Sequence, residues 1–250
     1  MLAVITNDYH VPYHVPSVVA LATQLIKALK PDVHAILGDF YDTYPLSNFT
    51  KRPFSYSTLG DEVEAGARIH DEQTPHAKKT VLLGGNHEFR ITKWIWSAEG
   101  FFSKLGDAAE EAMKLLHPRK LFRLDRHGIK WMDYCKPLYL GDLMLRHGEV
   151  AGTHTAATNL RKYRRSVITG HNHRREMKAH SSDGMPDIES WTNGCLCTLE
   201  PEYARGPVDW QHCMAVVDYD KRGPFNVQQL PVRWDKAGHP FVRLGRDVIR

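Results

Sequence analysis

The chain has 250 residues, 42% of them hydrophobic and 25% charged, with a formal net charge of +4. That is the make-up of a globular protein able to bury a sizeable core, and its mild positive charge permits an anionic substrate without demanding one. No apolar run approaches a membrane-spanning length, and the first residues begin a strand rather than a basic, apolar leader, so no membrane association and a cytoplasmic, reducing compartment are expected.

Residues 2–6 read as an apolar strand ending at Asn7-Asp8. Residues 17–30 read as an amphipathic helix, because Val18, Leu21, Ala22, Leu25, Ile26 and Leu29 recur at helical spacing. Pro16 suits its first turn and Pro31 ends it. A short buried strand over 33–37 runs into Gly38-Asp39. The aromatic, turn-rich stretch 44–57, with Tyr44, Phe49, Pro53, Phe54 and Tyr56, reads as a long loop. Residues 58–73 look helical, and residues 80–83 form a third strand ending at Gly84-Gly85. This alternation of strand and helix predicts a parallel, helix-covered sheet.

Residues 90–117 break the rhythm as a helical insertion in a domain spanning 1–250. Its Trp94, Trp96, Phe101 and Phe102 are read as core of the insertion or as a dimer contact, with base stacking the sharper alternative. Beyond residue 129 the chain turns β-rich, at 131–134, 138–140 and 143–146. A helix is expected between His154 and Arg164, then a strand over 166–169, and antiparallel strands around 187–192, 212–218 and 226–232. The fold class is α/β: two packed sheets, a β-sandwich, flanked by helices. Four cysteines suggest neither a disulfide framework nor a zinc knuckle, and Cys195-Leu196-Cys197 reads as a strand with buried, reduced thiols.

Five histidine- and aspartate-bearing blocks stand out, each where an apolar run ends. They are Asp8-Tyr9-His10, Gly38-Asp39-Phe40-Tyr41-Asp42, Gly85-Asn86-His87-Glu88, His147-Gly148 and Gly170-His171-Asn172-His173. Hard or borderline divalent ions take carboxylate, amide carbonyl and imidazole ligands. Asp8 and His10 are two residues apart, so persisting strand geometry would aim both to one side. Asp39 has two carboxylate oxygens and is the natural bridge between two ions. Asn86 offers a carbonyl oxygen, and His147, His171 and His173 bring imidazoles from the later half. No single pair is specific, and the ordered set carries the inference. Among the other histidines, His14 reads as rim, His34 as packed in its strand and His154 as a helix start near a pocket.

The blocks resemble the calcineurin-like metallophosphoesterase superfamily, whose pattern runs D-x-H, G-D-x-x-D, G-N-H-[DE], a later H, then G-H-x-H. All five match, over residues 8–173, and the chain beyond carries no block. The resemblance implies Asp8, His10, Asp39 and His173 on one metal, and Asp39, Asn86, His147 and His171 on the second. It makes His87 the catalytic histidine, protonating the leaving group, with Asp42 orienting it. It implies two divalent ions, manganese favoured and iron, zinc, nickel or magnesium compatible. A metal-bridging hydroxide would then attack phosphorus in line.

Serine/threonine phosphatases of the superfamily carry Arg after the second Asp and before G-N-H-E. Here Thr43 and Gly84 hold those places, and the chain looks closer to bacterial and phage-type phosphoesterases and repair nucleases. A monoester dianion gains more from such clamps than a diester monoanion does. The expected activity is therefore a phosphodiesterase acting on nucleotides or nucleic acid, with a broad phosphomonoesterase as the alternative and a non-catalytic scaffold less favoured. Arg161, Arg164, Arg165, Arg174 and Arg175 would line an approach path for an anionic substrate, the first three otherwise being a solvated helix face. The sequence leaves the biological substrate and oligomeric state open.

Overall fold

The structure is a computed structural model describing residues 1–48, 58–201 and 208–250. Its first half alternates as β1 (Leu2–Thr6), α1 (Pro16–Leu29), β2 (Val33–Ile36), α2 (Leu59–Gln73) and β3 (Thr80–Leu83). Pro16 occupies the first turn of α1, and Lys30 caps its end in left-handed backbone just before Pro31. Thr58 and Asp61 form a reciprocal capping box at the start of α2, which satisfies two backbone N–H groups that the helix leaves unpaired. Four short helices follow, α3 (Phe89–Ser97), α4 (Glu99–Phe102), α5 (Asp107–Leu116) and α6 (Pro118–Leu121), leading to β4 (Lys130–Met132).

The second half holds β5 (Leu138–Leu140), β6 (Leu143–Arg146), α7 (Thr155–Tyr163), β7 (Val167–Thr169), β8 (Arg175–Ser182) and β9 (Met185–Asn193). The chain ends through β10 (Cys213–Tyr219), β11 (Phe225–Pro231), β12 (Arg233–Trp234), β13 (Pro240–Leu244) and β14 (Asp247–Ile249). One sheet runs β11-β10-β1-β2-β3-β4, the second β5-β6-β7-β9-β8, and β12-β13-β14 form a small third. Neighbours from β1 to β4 pair in parallel, as do β6, β7 and β9, and β10 returns antiparallel beside β1.

Side-chain alternation builds two cores. Val4, Ile36, Leu82 and Met214 face α1 and α2. Ala3, Ile5, Ala35, Leu37, Val81 and Leu83 face Leu143, Leu145, Ile168 and Trp191 of the second sheet. A strand covered on both faces is mostly apolar, which is why β1 to β3 read as short hydrophobic runs, with the buried His34 of β2 tied to Thr6. Each fully buried Val, Ile or Leu contributes about 1.5–3 kcal/mol, so these layers fix the strand ends relative to one another.

Several sequence expectations change. Tyr44–Leu46 is a 3-10 turn, not open loop, while Phe49, Pro53, Phe54 and Tyr56 lie outside the described residues. The 90–117 stretch is helical, yet its aromatics do not form a core: Trp94, Trp96 and Phe101 are 59%, 64% and 62% exposed. Of α3, only Ile91 is buried. Cys195-Leu196-Cys197 is not a strand, because its ends make single bridges, to His212 and His14. Both of its thiols are buried and free, as is Cys213, whereas Cys135 is exposed. Among the described residues, no helix is long and apolar enough to cross a membrane.

Candidate metal centre

The five blocks meet where parallel strands β1, β2 and β3 end against the ends of β6 and β7. Strand geometry is not what aims them. The chain leaves β1 at Thr6, and Asp8 and His10 then adopt φ of 51° and 49°. Asp39 after β2 has φ 47°, and His171 and His173 after β7 have 72° and 58°. Five of the seven sequence-predicted ligands thus occupy left-handed backbone that non-glycine residues seldom adopt. Each such residue costs about 1–3 kcal/mol, and this strain concentrates at functional sites. Two glycines admit the close approach. A Cβ on Gly85 would stand 2.0 Å from Asp39 Oδ1, and one on Gly170 would stand 2.4 Å from Asp8 Oδ2.

Asp8 is fully buried and its two oxygens differ. Oδ2 accepts from Asn7 Nδ2 at 2.6 Å and from the His171 amide at 2.9 Å. Oδ1 accepts no hydrogen bond and faces His173 Nε2 at 3.2 Å and His10 Nε2 at 3.8 Å. Asp39 repeats the division. Oδ1 accepts from the His87 amide at 2.9 Å, while Oδ2 lies 3.3 Å from His147 Nε2 and 3.8 Å from His10 Nε2. His147 Nδ1 donates to the Leu37 carbonyl at 2.8 Å, and its Nε2 sits 2.8 Å from Asn86 Oδ1. His10 and His173 bring their Nε2 atoms within 3.2 Å.

Two groups of metal-ligating atoms, each mutually within 4.8 Å, share one residue: Asp8, His10 and Asp39, and Asp39, His147 and His171. The donor set fits a pair of borderline divalent ions, because carboxylate, amide and imidazole donors converge with their lone pairs inward. The unpartnered Asp8 Oδ1 supports the fit, since a buried carboxylate oxygen otherwise costs several kcal/mol. The electrostatics favour positive charge here. Burial opposes ionisation of Asp39, but His147 and His87 hold it well below the usual carboxylate range. Burial likewise works against a charged His147, yet the carboxylates of Asp39 and Asp8 push it up to about 9. His173 is also raised to about 9 against its burial, by Cys197 and Asp8. His171 goes the other way, lowered to about 4 by burial and by His147.

His87 stands beside the cluster, its Nε2 3.8 Å from Asp39 Oδ2. Its Nδ1 donates to the main-chain oxygen of Asp42 at 2.8 Å, with the Asp42 carboxylate at 3.4 Å. That carboxylate makes its short contact with His10 Nδ1, at 2.9 Å. Asp42 therefore serves two imidazoles, and its closest link to His87 is through the backbone.

Sequence reasoning missed Arg90. From the first turn of α3, Arg90 donates through Nη1 to the Asp42 carbonyl at 2.7 Å, and its Nη2 lies 3.1 Å from His87 Nε2. Its spacing of three from His87 on a helix start was the available signal. Also unforeseen was Cys197, whose Sγ lies 3.8 Å from His173 Nδ1 and backs that ring.

The expected approach path does not form as a unit. Arg161 and Arg164 belong to α7 and its cap, and with Arg165 they precede β7, whereas His171 and His173 follow it. Arg165 donates to the Tyr139 hydroxyl, and Arg161 to Thr158. Arg174 pairs with Asp209 at 2.7 Å and donates to the Ala151 carbonyl. Among the described residues, neither Arg164 nor Arg175 makes a hydrogen bond or ion pair through its guanidinium, and Arg175 lines a cavity of about 380 Å³ with His154. His34 is packed as expected, its Nε2 2.9 Å from Thr6 Oγ1, and His14 is partly buried.

A two-sheet sandwich with helices outside and a carboxylate–imidazole cluster at its strand ends defines a metallophosphoesterase class of fold. The family model for calcineurin-like phosphoesterase matches residues 1–223, and the chain belongs to that family. No curated protein matches significantly. Solved structures that resemble it include Vps29 of Chaetomium thermophilum, at 9% identity and TM-score 0.52, covering 100% of this chain and 94% of that one. The same protein complexed with a RaPID-derived cyclic peptide gives 10% identity and TM-score 0.52, covering 100% and 96%. A Vps29 single mutant from Entamoeba histolytica gives 12% identity and TM-score 0.48, with 97% of each chain covered. Identities this low speak for the fold alone.

Proposed function

We propose that this protein hydrolyses phosphoric esters with two divalent ions, held by Asp8, His10, Asp39 and His173 on one side and by Asp39, Asn86, His147 and His171 on the other. The observation that carries the reading is that both candidate ligand groups share Asp39, whose Oδ2 faces each of them. Such ions, when bound, supply Lewis-acid polarisation of a phosphoryl oxygen and lower the pKa of water. Manganese is the favoured ion.

The chain's own residues supply the proton and the grip. Donation from His87 Nδ1 to the Asp42 carbonyl fixes the tautomer, so Nε2 is the atom facing the reacting side. Arg90 Nη2 can only donate, so in this structure Nε2 accepts from it. To act as general acid, His87 would take up a proton at Nε2 as Arg90 turns to a substrate oxygen, and then pass that proton to the leaving alkoxide. Arg90 Nη2 beside that atom is placed to hold a phosphoryl or leaving-group oxygen and to keep the ring oriented. Asp42, through its carboxylate on His10 Nδ1, sets the direction of that ligand.

The favoured substrate is a phosphodiester of nucleotides or nucleic acid, supported by the missing arginine pair at positions 43 and 84. Arg90 favours a second reading, a phosphomonoester, because it returns one guanidinium to the site by another route. Turnover of bis-p-nitrophenyl phosphate and of p-nitrophenyl phosphate with added manganese, alongside metal analysis, tests both. Faster turnover of the diester is expected. Faster turnover of the monoester selects the second reading, and no turnover of either with two ions bound removes the hydrolytic reading.

A further inference from the structure

The cluster is continuous with a second, wider feature. The ring of His173 meets Trp210 edge-on, with centroids 4.1 Å apart. Trp210 in turn lines a groove of about 430 Å³, together with Arg175, Gln211, His212, Arg233 and Trp234. Its walls come from distant parts of the chain: Arg175 opens β8, Trp210 to His212 lead into β10, and Arg233 and Trp234 form β12. The Gln211 side chain is fixed by accepting from the Arg175 amide at 2.9 Å, and His212 Nδ1 lies 3.2 Å from the Cys195 carbonyl. This wall is therefore anchored.

Two features of the groove point to a ligand. Trp234 is 48% exposed, so its indole face is open to the groove, and its ring stands edge-on to His212. Arg175 and Arg233 are exposed, and among the described residues neither guanidinium has an ion pair or hydrogen-bond partner; no carboxylate lines the groove. Lone exposed arginines are ordinary. Two of them beside two indoles, in one concavity touching a proposed metal ligand, form the combination that binds single-stranded nucleotides: aromatic faces for bases and free charge for phosphates.

We propose that this groove is the nucleoside subsite of the substrate, taking an unpaired base against Trp234 and the next phosphate on Arg175 and Arg233. The assignment rests on the phosphoester reading of the cluster, which would hold the scissile phosphate. The ligand class is a dinucleotide or a longer single strand. A base locked in a duplex cannot offer its face to an indole.

Calorimetry on the manganese-loaded protein tests this with two probes. One is a 5′-phosphorylated dithymidine dinucleotide with a phosphorothioate linkage. The other is inorganic phosphate, which reports the cluster alone. Trp234→Ala and Arg233→Ala should each weaken dinucleotide binding by about 5- to 50-fold and change phosphate binding by less than about twofold. Trp234→Phe, which keeps an aromatic face, should retain most of the affinity and guards against a folding artefact. Dinucleotide affinity within twofold of the parent in both alanine variants overturns the assignment, as does a dinucleotide that binds no tighter than phosphate. If the dinucleotide binds the groove but no ester is hydrolysed, the subsite stands and the hydrolytic reading falls.

Discussion

Replacing Gly85 by Ala disturbs the centre without removing any ligand. The added methyl would stand 2.0 Å from Asp39 Oδ1 and 2.4 Å from the Asp39 backbone nitrogen. Carbon and oxygen atoms in favourable contact sit roughly 3.5 Å apart, so the two loops must part by more than about 1 Å. A side chain alone cannot yield, because one clash is with backbone. The two loops are also tied together, since the amides of Gly85 and Asp39 both donate to Glu88 Oε2, at 2.7 and 3.1 Å. Overpacking of this kind costs about 1–3 kcal/mol, and the upper end is expected here. For a chain of this size that is a fall in Tm of roughly 6–12 °C. Moving Asp39 should weaken both ions together. Gly60→Ala is the control: its methyl meets only Thr58 Oγ1, at 3.4 Å, in α2, and the change should be neutral or stabilising by up to ~1 kcal/mol. Calorimetric melting and metal analysis after dialysis read both effects. A Gly85→Ala protein that keeps two ions and melts within about 2 °C of the parent would refute the packing argument.

His87→Ala should keep its metals and lose about 10²–10⁴ in kcat for alkyl esters, with a smaller loss for p-nitrophenyl esters, whose leaving group needs no proton; equal losses for the two would exclude the acid role. Arg90→Met should lower kcat/KM by roughly 10–100-fold, and Arg90→Lys should recover only part of it, because an ammonium lacks the fork that spans Asp42 and His87; full recovery by Lys would reduce Arg90 to a point charge. His34 is depressed to about 3 by burial. Its neutral form is the folded form, so its contribution to stability is complete above the ordinary histidine range and is lost as pH falls from about 6.5 towards 3. By the bottom of that window the stability lost is on the order of 4 kcal/mol. His34→Gln should flatten the acid limb in urea melts, and an unchanged limb would show that the ring is already charged in the fold.

Much of the site was legible because its residue types are rare in combination. Asp8, His10, Asp39, Asn86, His147, His171 and His173 each follow an apolar run, and ordering them needs no tertiary knowledge. The helix α1 was legible for a similar reason: its buried Val18, Leu21, Ala22, Leu25 and Ile26 keep a strict period. What stayed hidden depends on contact rather than pattern. Arg90 is one arginine in a mixed helix until its guanidinium is seen against His87. Trp94 and Trp96 look like core because aromatic residues usually are, and only the fold shows them exposed. Strand β8 escaped notice because it is an outer strand with mostly exposed residues, so no alternation marks it. The basic run at 161–165 reads first as a solvated helix face, which it is, and only its short sequence distance to His171 suggests an approach path. Strand β7 lies between them and carries the two to opposite ends.

The left-handed turns at Asp39 and its neighbours need something to hold them, and the structure supplies it in a glutamate that ligates nothing. Glu88 is fully buried and accepts from the amides of Gly85, Asp39 and Tyr41, at 2.7, 3.1 and 2.9 Å. Three backbone donors from two blocks thus converge on one carboxylate, which locks the loop carrying Asn86 and His87 to the turn carrying Asp39. Burial, with the nearby charge of Asp39, pushes Glu88 up to about 7, so the fold spends stability to keep this acceptor in place. Glu88→Gln keeps the size but puts an amide N–H₂ where one oxygen accepted, so at least one of the three donors faces a donor. An outer partner of this kind typically changes metal affinity by 10–100-fold, and that is the loss expected here, with both ions weakened together. Weakening confined to one ion, or an affinity unchanged within about twofold, would show that the turn at Asp39 stands without Glu88.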